Sequence, residues 1–275
     1  MDRVSDVEQL KSIAKDVRRD IISMIYAAGS GHPGGSLSAT DFLTVLFFDY
    51  MHHDPKNPKD ENRDRFILSK GHCTPVYYSL LARTGYFSVD ELSTFRKLGS
   101  RLQGHPDKSK FDLMETTSGS LGQGLSISAG TAFGLRLDKN NAKVYCVLGD
   151  GELDEGQVWE SLETIKKYKL DNLIILIDNN KIQLDGTVID IKELKNFDHE
   201  FIDIGYTVFK TDGHDYEEII KAYEDALNAS NNGENVIIIF QTIKGKGISF
   251  MENTSEWHGK APNKEEYEKA MKELE

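Results

Sequence analysis

Apolar residues recur along the chain with two different spacings. Near the start, Leu10, Ile13, Val17, Ile21 and Ile25 fall three to four apart, which predicts a helix with one buried face. Ser5 and Glu8 form a capping box at its beginning. The glycines and proline of Gly29-Ser30-Gly31-His32-Pro33-Gly34-Gly35 are expected to end it, with a second helix from about Ser38 to Tyr50. A polar loop from Asp54 to Arg63 follows, then a short strand, Arg65–Leu68, that runs into Gly71-His72. Ser88 with Glu91 predicts the cap of a further helix. From Lys143 the pattern changes. Continuous apolar runs stand at Val144–Leu148, Leu173–Ile177, Tyr206–Phe209 and Val236–Ile239, with helical stretches near 155–168, 191–204 and 215–229 between them. Buried β-branched runs that alternate with helices predict a parallel α/β sheet. Ligands in such sheets bind beyond the carboxyl ends of the strands, so the chemistry is expected in loops that follow strands. The charged segment after Asn263 predicts a solvated terminal helix, and the absence of repeats or linkers predicts one domain over 1–275.

Composition narrows the class. A chain of 275 residues that is 39% apolar can bury a full core without staples. Its two cysteines exclude a disulfide scaffold, and Cys146, inside an apolar run, is expected in the core. Lys and Arg number 33 against 45 Asp and Glu, a net charge of −12. A surface of that sign repels a polyanion, so no nucleic-acid partner is expected. No apolar run approaches the ~18 residues of a membrane span. The first twenty residues mix charged and apolar positions, unlike a signal peptide. A soluble, reduced, cytoplasmic protein is the expectation.

The candidate chemistry begins at Gly149-Asp150-Gly151-Glu152-Leu153-Asp154-Glu155-Gly156, directly after a predicted strand. Its glycines let a ligand approach the backbone and leave peptide N–H groups free for ligand oxygens. The next predicted strand ends in Ile177-Asp178-Asn179-Asn180-Lys181-Ile182. If the two strands are adjacent, Asp150, Asn180 and the Ile182 carbonyl converge. Three hard oxygens with little charge suit Mg²⁺, which completes its octahedron with water and substrate phosphates. The pair therefore reads as a magnesium–diphosphate clamp.

This spacing resembles the thiamine-diphosphate motif, and further motifs narrow the family. Ser30–Gly35, Leu68-Ser69-Lys70-Gly71-His72, Gln103-Gly104-His105-Pro106, Gly119-Ser120-Leu121-Gly122-Gln123-Gly124 and Trp257-His258-Gly259 follow in order. Together with the clamp they resemble the transketolase family over about residues 10–262. The resemblance implies the thiamine-diphosphate-binding fold, three α/β/α layers about a mostly parallel sheet. It implies thiamine diphosphate and Mg²⁺ as cofactors, with Asp150, Asn180 and the Ile182 carbonyl on the metal. Gly119, Ser120 and Leu121 would line the cofactor site, Gly151 would donate its N–H to a diphosphate oxygen, and His72 would contact the diphosphate. His32, His105 and His258 would face substrate hydroxyls and move protons, a task suited to imidazole. Glu155 would join a carboxylate network across a subunit interface. Lys244 and Lys260 become candidate site cations. His52, His53, His199 and His214 lack such context and read as surface residues.

The implied activity is transfer of a two-carbon ketol unit from a ketose to an aldose, the sugars being phosphorylated. The family's pyrimidine-binding and C-terminal domains, and the glutamate that activates the cofactor, have no counterpart in this sequence. The chain is therefore expected to be the N-terminal subunit of a split enzyme, assembled as α2β2 with a C-terminal subunit. The alternatives are an excised domain of a longer transketolase, a subunit of another thiamine-diphosphate enzyme, of the 1-deoxyxylulose-5-phosphate-synthase or 2-oxo-acid dehydrogenase type, or a non-catalytic binding module.

Overall fold

A computed structural model describes residues 3–192 and 197–275. Five strands form one all-parallel sheet: β1 (Arg65–Leu68), β2 (Val144–Gly149), β3 (Leu173–Asn179), β4 (Thr207–Asp212) and β5 (Val236–Gln241). Their spatial order is β1-β2-β3-β5-β4. The run expected over Tyr206–Phe209 becomes β4 from Thr207. Tyr206, just before it, is buried, and its hydroxyl donates to the Leu162 carbonyl at 2.8 Å.

The helices cover both faces of the sheet. On one side lie α1 (Val7–Ala28), α2 (Pro33–Ser38), α3 (Thr40–Val45, continued by a π turn over Leu46–Tyr50), α4 (Thr74–Thr84) and α9 (Tyr216–Asn231). On the other lie α5 (Gln123–Leu137), α6 (Gly156–Tyr168) and α8 (Phe197–Ile204). Strand residues alternate between the two cores: Ile174 and Leu176 of β3 face the first, Ile175 and Ile177 the second. That is the three-layer α/β/α arrangement expected from the alternating runs. Two shorter pieces complete the chain, α7 (Val188–Lys192) and α10 (Lys264–Glu273).

Several local expectations change. The cap of α1 is Asp6, whose carboxylate accepts from the Gln9 N–H at 2.7 Å, while the Ser5 hydroxyl donates to Asp49 at 3.0 Å. The second helix begins earlier than its glycines suggested. Pro33 sits at the first turn of α2, where a missing N–H costs nothing, and the short helix is packed wholly inside the protein. Ser88 does cap, accepting from Asp90 N–H, but the segment it starts is a 3-10 helix over Val89–Thr94. The helix expected over 191–204 is seen as α8 from Phe197, and residues 193–196 lie outside those described. The terminal helix α10 is not merely solvated: Ala270 is buried, and the helix packs against α1. Cys146 lies fully in the core as expected. His52 and His199 are exposed, but His53 and His214 are not surface residues. The His53 ring bonds the Phe47 carbonyl and the Tyr86 hydroxyl, and His214 contacts buried Asp41. Among the described residues no helix is long and apolar enough to cross a membrane.

Candidate functional site

A cleft of about 180 Å³ opens at the carboxyl ends of β1, β2, β3 and β5. Parallel pairing sets Gly149 of β2 beside Asp178 of β3, so Asp150 and Asn180 emerge on adjacent strand tips. Asp150, Gly151, Asn180, Ile182, Leu121, His72, Lys244 and His258 all line this cleft. Asp150 is 3% exposed, and its carboxylate accepts from the Gly151 and Lys181 N–H groups. Burial, reinforced by nearby Asp178, pushes its pKa up to about 7. The Asn180 side-chain oxygen accepts from Ile182 N–H at 3.2 Å, and the Ile182 carbonyl accepts from the Lys244 ammonium at 2.9 Å.

Four histidines converge beside the cleft. The ring of His32 lies 5.2 Å from that of His72, 6.2 Å from His105 and 5.5 Å from His258, centre to centre. They come from the loop before α2, the turn after β1, the loop before α5 and the segment before α10, so only the fold unites them. Burial and the charges of Arg96 and its neighbours lower His32 to about 4. Burial and Lys244 lower His258 to about 3, and burial holds His72 and His105 below the ordinary imidazole range. All four are therefore neutral at pH 7. The buried Nδ1 of His32 has no hydrogen-bond partner among the described residues, which leaves it for a ligand.

Other sequence-predicted residues lie around this centre. Gly119 approaches His105, and a Cβ on it would stand 3.4 Å from that ring. Ser120 is exposed next to it. Glu155 is exposed at the start of α6 and does not line the cleft. Lys260 is held away from the cleft, its ammonium paired with Glu256 and Glu266 at 2.8 Å and 4.2 Å over the Trp257 ring.

Three supporting residues escape a reading of the sequence alone. Lys70, buried in the lining of the cleft, is ion-paired to fully buried Asp178 behind it. Burial opposes the charge of each partner, but their mutual attraction holds Lys70 protonated and Asp178 ionised. Asp178 also accepts from Ser38, Thr242 and the Asn180 amide, which orients that amide. Glu152 accepts from Ser69 and from the N–H groups of Gly122 and Gly149, tying the loop before α5 to the tip of β2. The signal for Lys70 and Glu152 stands inside the motifs themselves, as charges beside glycines.

The residues suit a divalent cation. Among the described residues the buried Asp150 carboxylate accepts only from backbone N–H groups, and amide and carbonyl oxygens stand beside it. No group of three or more His, Cys, Asp or Glu arranged to hold a metal occurs among the described residues, so a cation here would rest on this mixed oxygen set.

Comparison with known proteins agrees with the geometry. The family described as "Transketolase, thiamine diphosphate binding domain" matches residues 9–274. One of the subunits of apulose-4-phosphate transketolase from Phocaeicola vulgatus is 37% identical over 268 residues, 98% of this chain and 94% of that protein. The 6-deoxy-6-sulfo-D-fructose transketolase subunit SqwG of a Clostridium species is 39% identical, covering 97% and 96%. Against the transketolase of Campylobacter jejuni the TM-score is 0.91 at 34% identity, and the match covers 98% of this chain but 43% of that one. The chain therefore spans less than half of such full-length transketolases and nearly all of the subunit relatives. A family match over residues 9–274, with relatives and a solved structure that match almost the whole of this chain, means that the chain belongs to the transketolase family, in its thiamine diphosphate binding domain.

Proposed function

We propose that the chain is the N-terminal subunit of a two-chain transketolase, which moves a two-carbon ketol unit from a ketose to an aldose. The observation that carries this reading is the convergence of neutral His32, His72, His105 and His258 on the rim of the Asp150–Asn180 cleft. Asp150, Asn180 and the Ile182 carbonyl would hold Mg²⁺, the carbonyl sharing its second lone pair with Lys244. Gly151 would donate its N–H to a diphosphate oxygen, His72 would face the diphosphate, and Gly119, Ser120 and Leu121 would line the rest of the cofactor's site. When bound, thiamine diphosphate supplies the carbon nucleophile that breaks and remakes the bond beside the ketose carbonyl. The protein's own work is to orient and to move protons. Neutral imidazoles of His32 and His105 can accept a proton from one sugar hydroxyl and return it to another oxygen, while His258, whose Nδ1 accepts from Lys244, would present an Nε2–H donor to a substrate oxygen.

The partner would supply the pyrimidine-binding wall and the activating carboxylate. Exposed Ile127, Phe133, Leu137 and Tyr168 on α5 and α6 support a covered face there, and Glu155 is exposed at the start of α6. An α2β2 assembly suits sites that form in pairs about a two-fold axis. The sugar identities follow from the partner's contacts as well as from these. Turnover of a ketose–aldose pair by the purified chain, with and without the second subunit, tests the reading. Activity is expected only in the mixture, and a lone chain that transfers ketol units would overturn it.

A further inference from the structure

The Lys244 backbone is held on both sides by one buried polar group. Before it, the Ile243 N–H donates to Nε2 of His214 at 2.9 Å. After it, the Lys246 carbonyl accepts from Nε of Arg18 at 3.1 Å. His214 and Arg18 meet on Asp41 of α3. That carboxylate accepts from Arg18 at 2.9 and 2.7 Å, from His214 Nδ1 at 2.8 Å and from the Tyr216 hydroxyl at 2.7 Å. Burial works against its charge, but Arg18 and His214 keep the carboxyl well below the usual range. An ionised carboxylate only accepts and a peptide N–H only donates, so the His214 tautomer is fixed: a proton on Nδ1, a lone pair on Nε2. Gly245, with φ of +81°, then turns the chain so that its N–H reaches the Gly34 carbonyl at 3.0 Å.

We propose that Arg18, Asp41 and His214 form a positioning group that fixes the turn around Lys244, so that its ammonium reaches the Ile182 carbonyl and His258. The critical contact is the Nε2 lone pair of His214 on the turn's first N–H, and Asp41 serves it by fixing the imidazole tautomer, a service an amide side chain does not need. The proposal rests on reading the cleft as the diphosphate site. In this arrangement Lys244 is aimed by a group that lies outside the lining of the cleft.

Two substitutions separate positioning from plain stability. His214→Asn keeps a donor toward Asp41 and removes the acceptor for Ile243. His214→Gln places an acceptor near the lost Nε2 and gives up the Asp41 donor. Both remove one hydrogen bond from the same buried group, so their melting temperatures should fall alike. The full-length chain is pulsed with acetic anhydride and acetylation at Lys244 is read against exposed Lys264 by mass spectrometry. Thiamine diphosphate affinity with Mg²⁺ is measured beside it, in the presence of the second subunit. His214→Asn is expected to raise Lys244 acetylation and to weaken cofactor binding by about tenfold each, the scale of one lost buried hydrogen bond. His214→Gln should stay within about twofold of the unaltered chain on both. Equal acetylation in the two variants overturns the proposal. An unaltered chain that fails to bind thiamine diphosphate, yet shows the acetylation difference, overturns the cofactor reading instead.

Discussion

Nζ of Lys244 lies 2.8 Å from Nδ1 of His258, an ammonium donating to a neutral imidazole. Burial lowers both groups, Lys244 to about 8 and His258 to about 3, with the charge of Lys244 adding to the second shift. Because Nδ1 is the acceptor, the ring proton stands on Nε2. The lysine thus fixes the tautomer of its neighbour and adds to burial in keeping the ring neutral.

Lys244→Met should therefore raise the His258 pKa from about 3 toward the ordinary 6.5, stopping short because burial persists. Ring resonances followed by NMR against pH report this. An unchanged midpoint would show that Lys244 has no hold on the ring.

Acid stability follows from His32, lowered to about 4 from 6.5. A histidine whose folded pKa is depressed favours the folded state above its unfolded pKa and loses that contribution as pH falls toward the folded value. The protein should lose stability between about pH 6.5 and 4, and His32→Asn should make that slope shallower in urea titrations at several pH values.

Asp150 acts in the opposite sense. Its folded pKa of about 7 exceeds 3.8, so its contribution to the metal-free fold is full below about pH 4 and is lost as pH rises toward 7. A bound cation offsets that loss. Mg²⁺ is expected to raise the melting temperature above about pH 7 and much less near pH 4, and Asp150→Ala should remove the response. Calorimetric melts with and without Mg²⁺ check it.

Lys70→Met leaves the Asp178 carboxylate buried without its cation. A loss of about 3–5 kcal/mol is expected, the range for breaking a buried pair by removing one partner. Denaturant unfolding measures it, and a cost below about 1 kcal/mol would mean that Ser38, Thr242 and Asn180 suffice to hold the carboxylate.

The sheet is legible in the sequence because fully buried parallel strands read as unbroken apolar runs, as Val144–Leu148 and Leu173–Ile177 do. Asp150 and Asn180 are legible because each follows such a run, where a polar residue marks a strand tip. The Lys70–Asp178 pair is not. Its partners stand 108 residues apart, and no local period connects them. His53 and His214 are hidden for the same reason: polar neighbours in sequence give no hint of the buried carbonyl and carboxylate they meet in space. The early start of α2 is hidden because glycines, poor helix formers, are tolerated where the segment is packed on every side.

The alternation along β3 limits what insertions this chain can accept. Ile174 and Leu176 share one face, and Asp178, the next on that side, meets Lys70 and Ser38 there. Adding or deleting a single residue between Leu173 and Ile177 would turn that face over. Asp178 would then point into the apolar core on the α5, α6 and α8 side, and an isoleucine would stand against the lysine. A length change in the surface loops leaves this parity intact. Gene libraries that vary length should therefore return functional members with changes in loops such as 54–63, and none with an odd change inside β3.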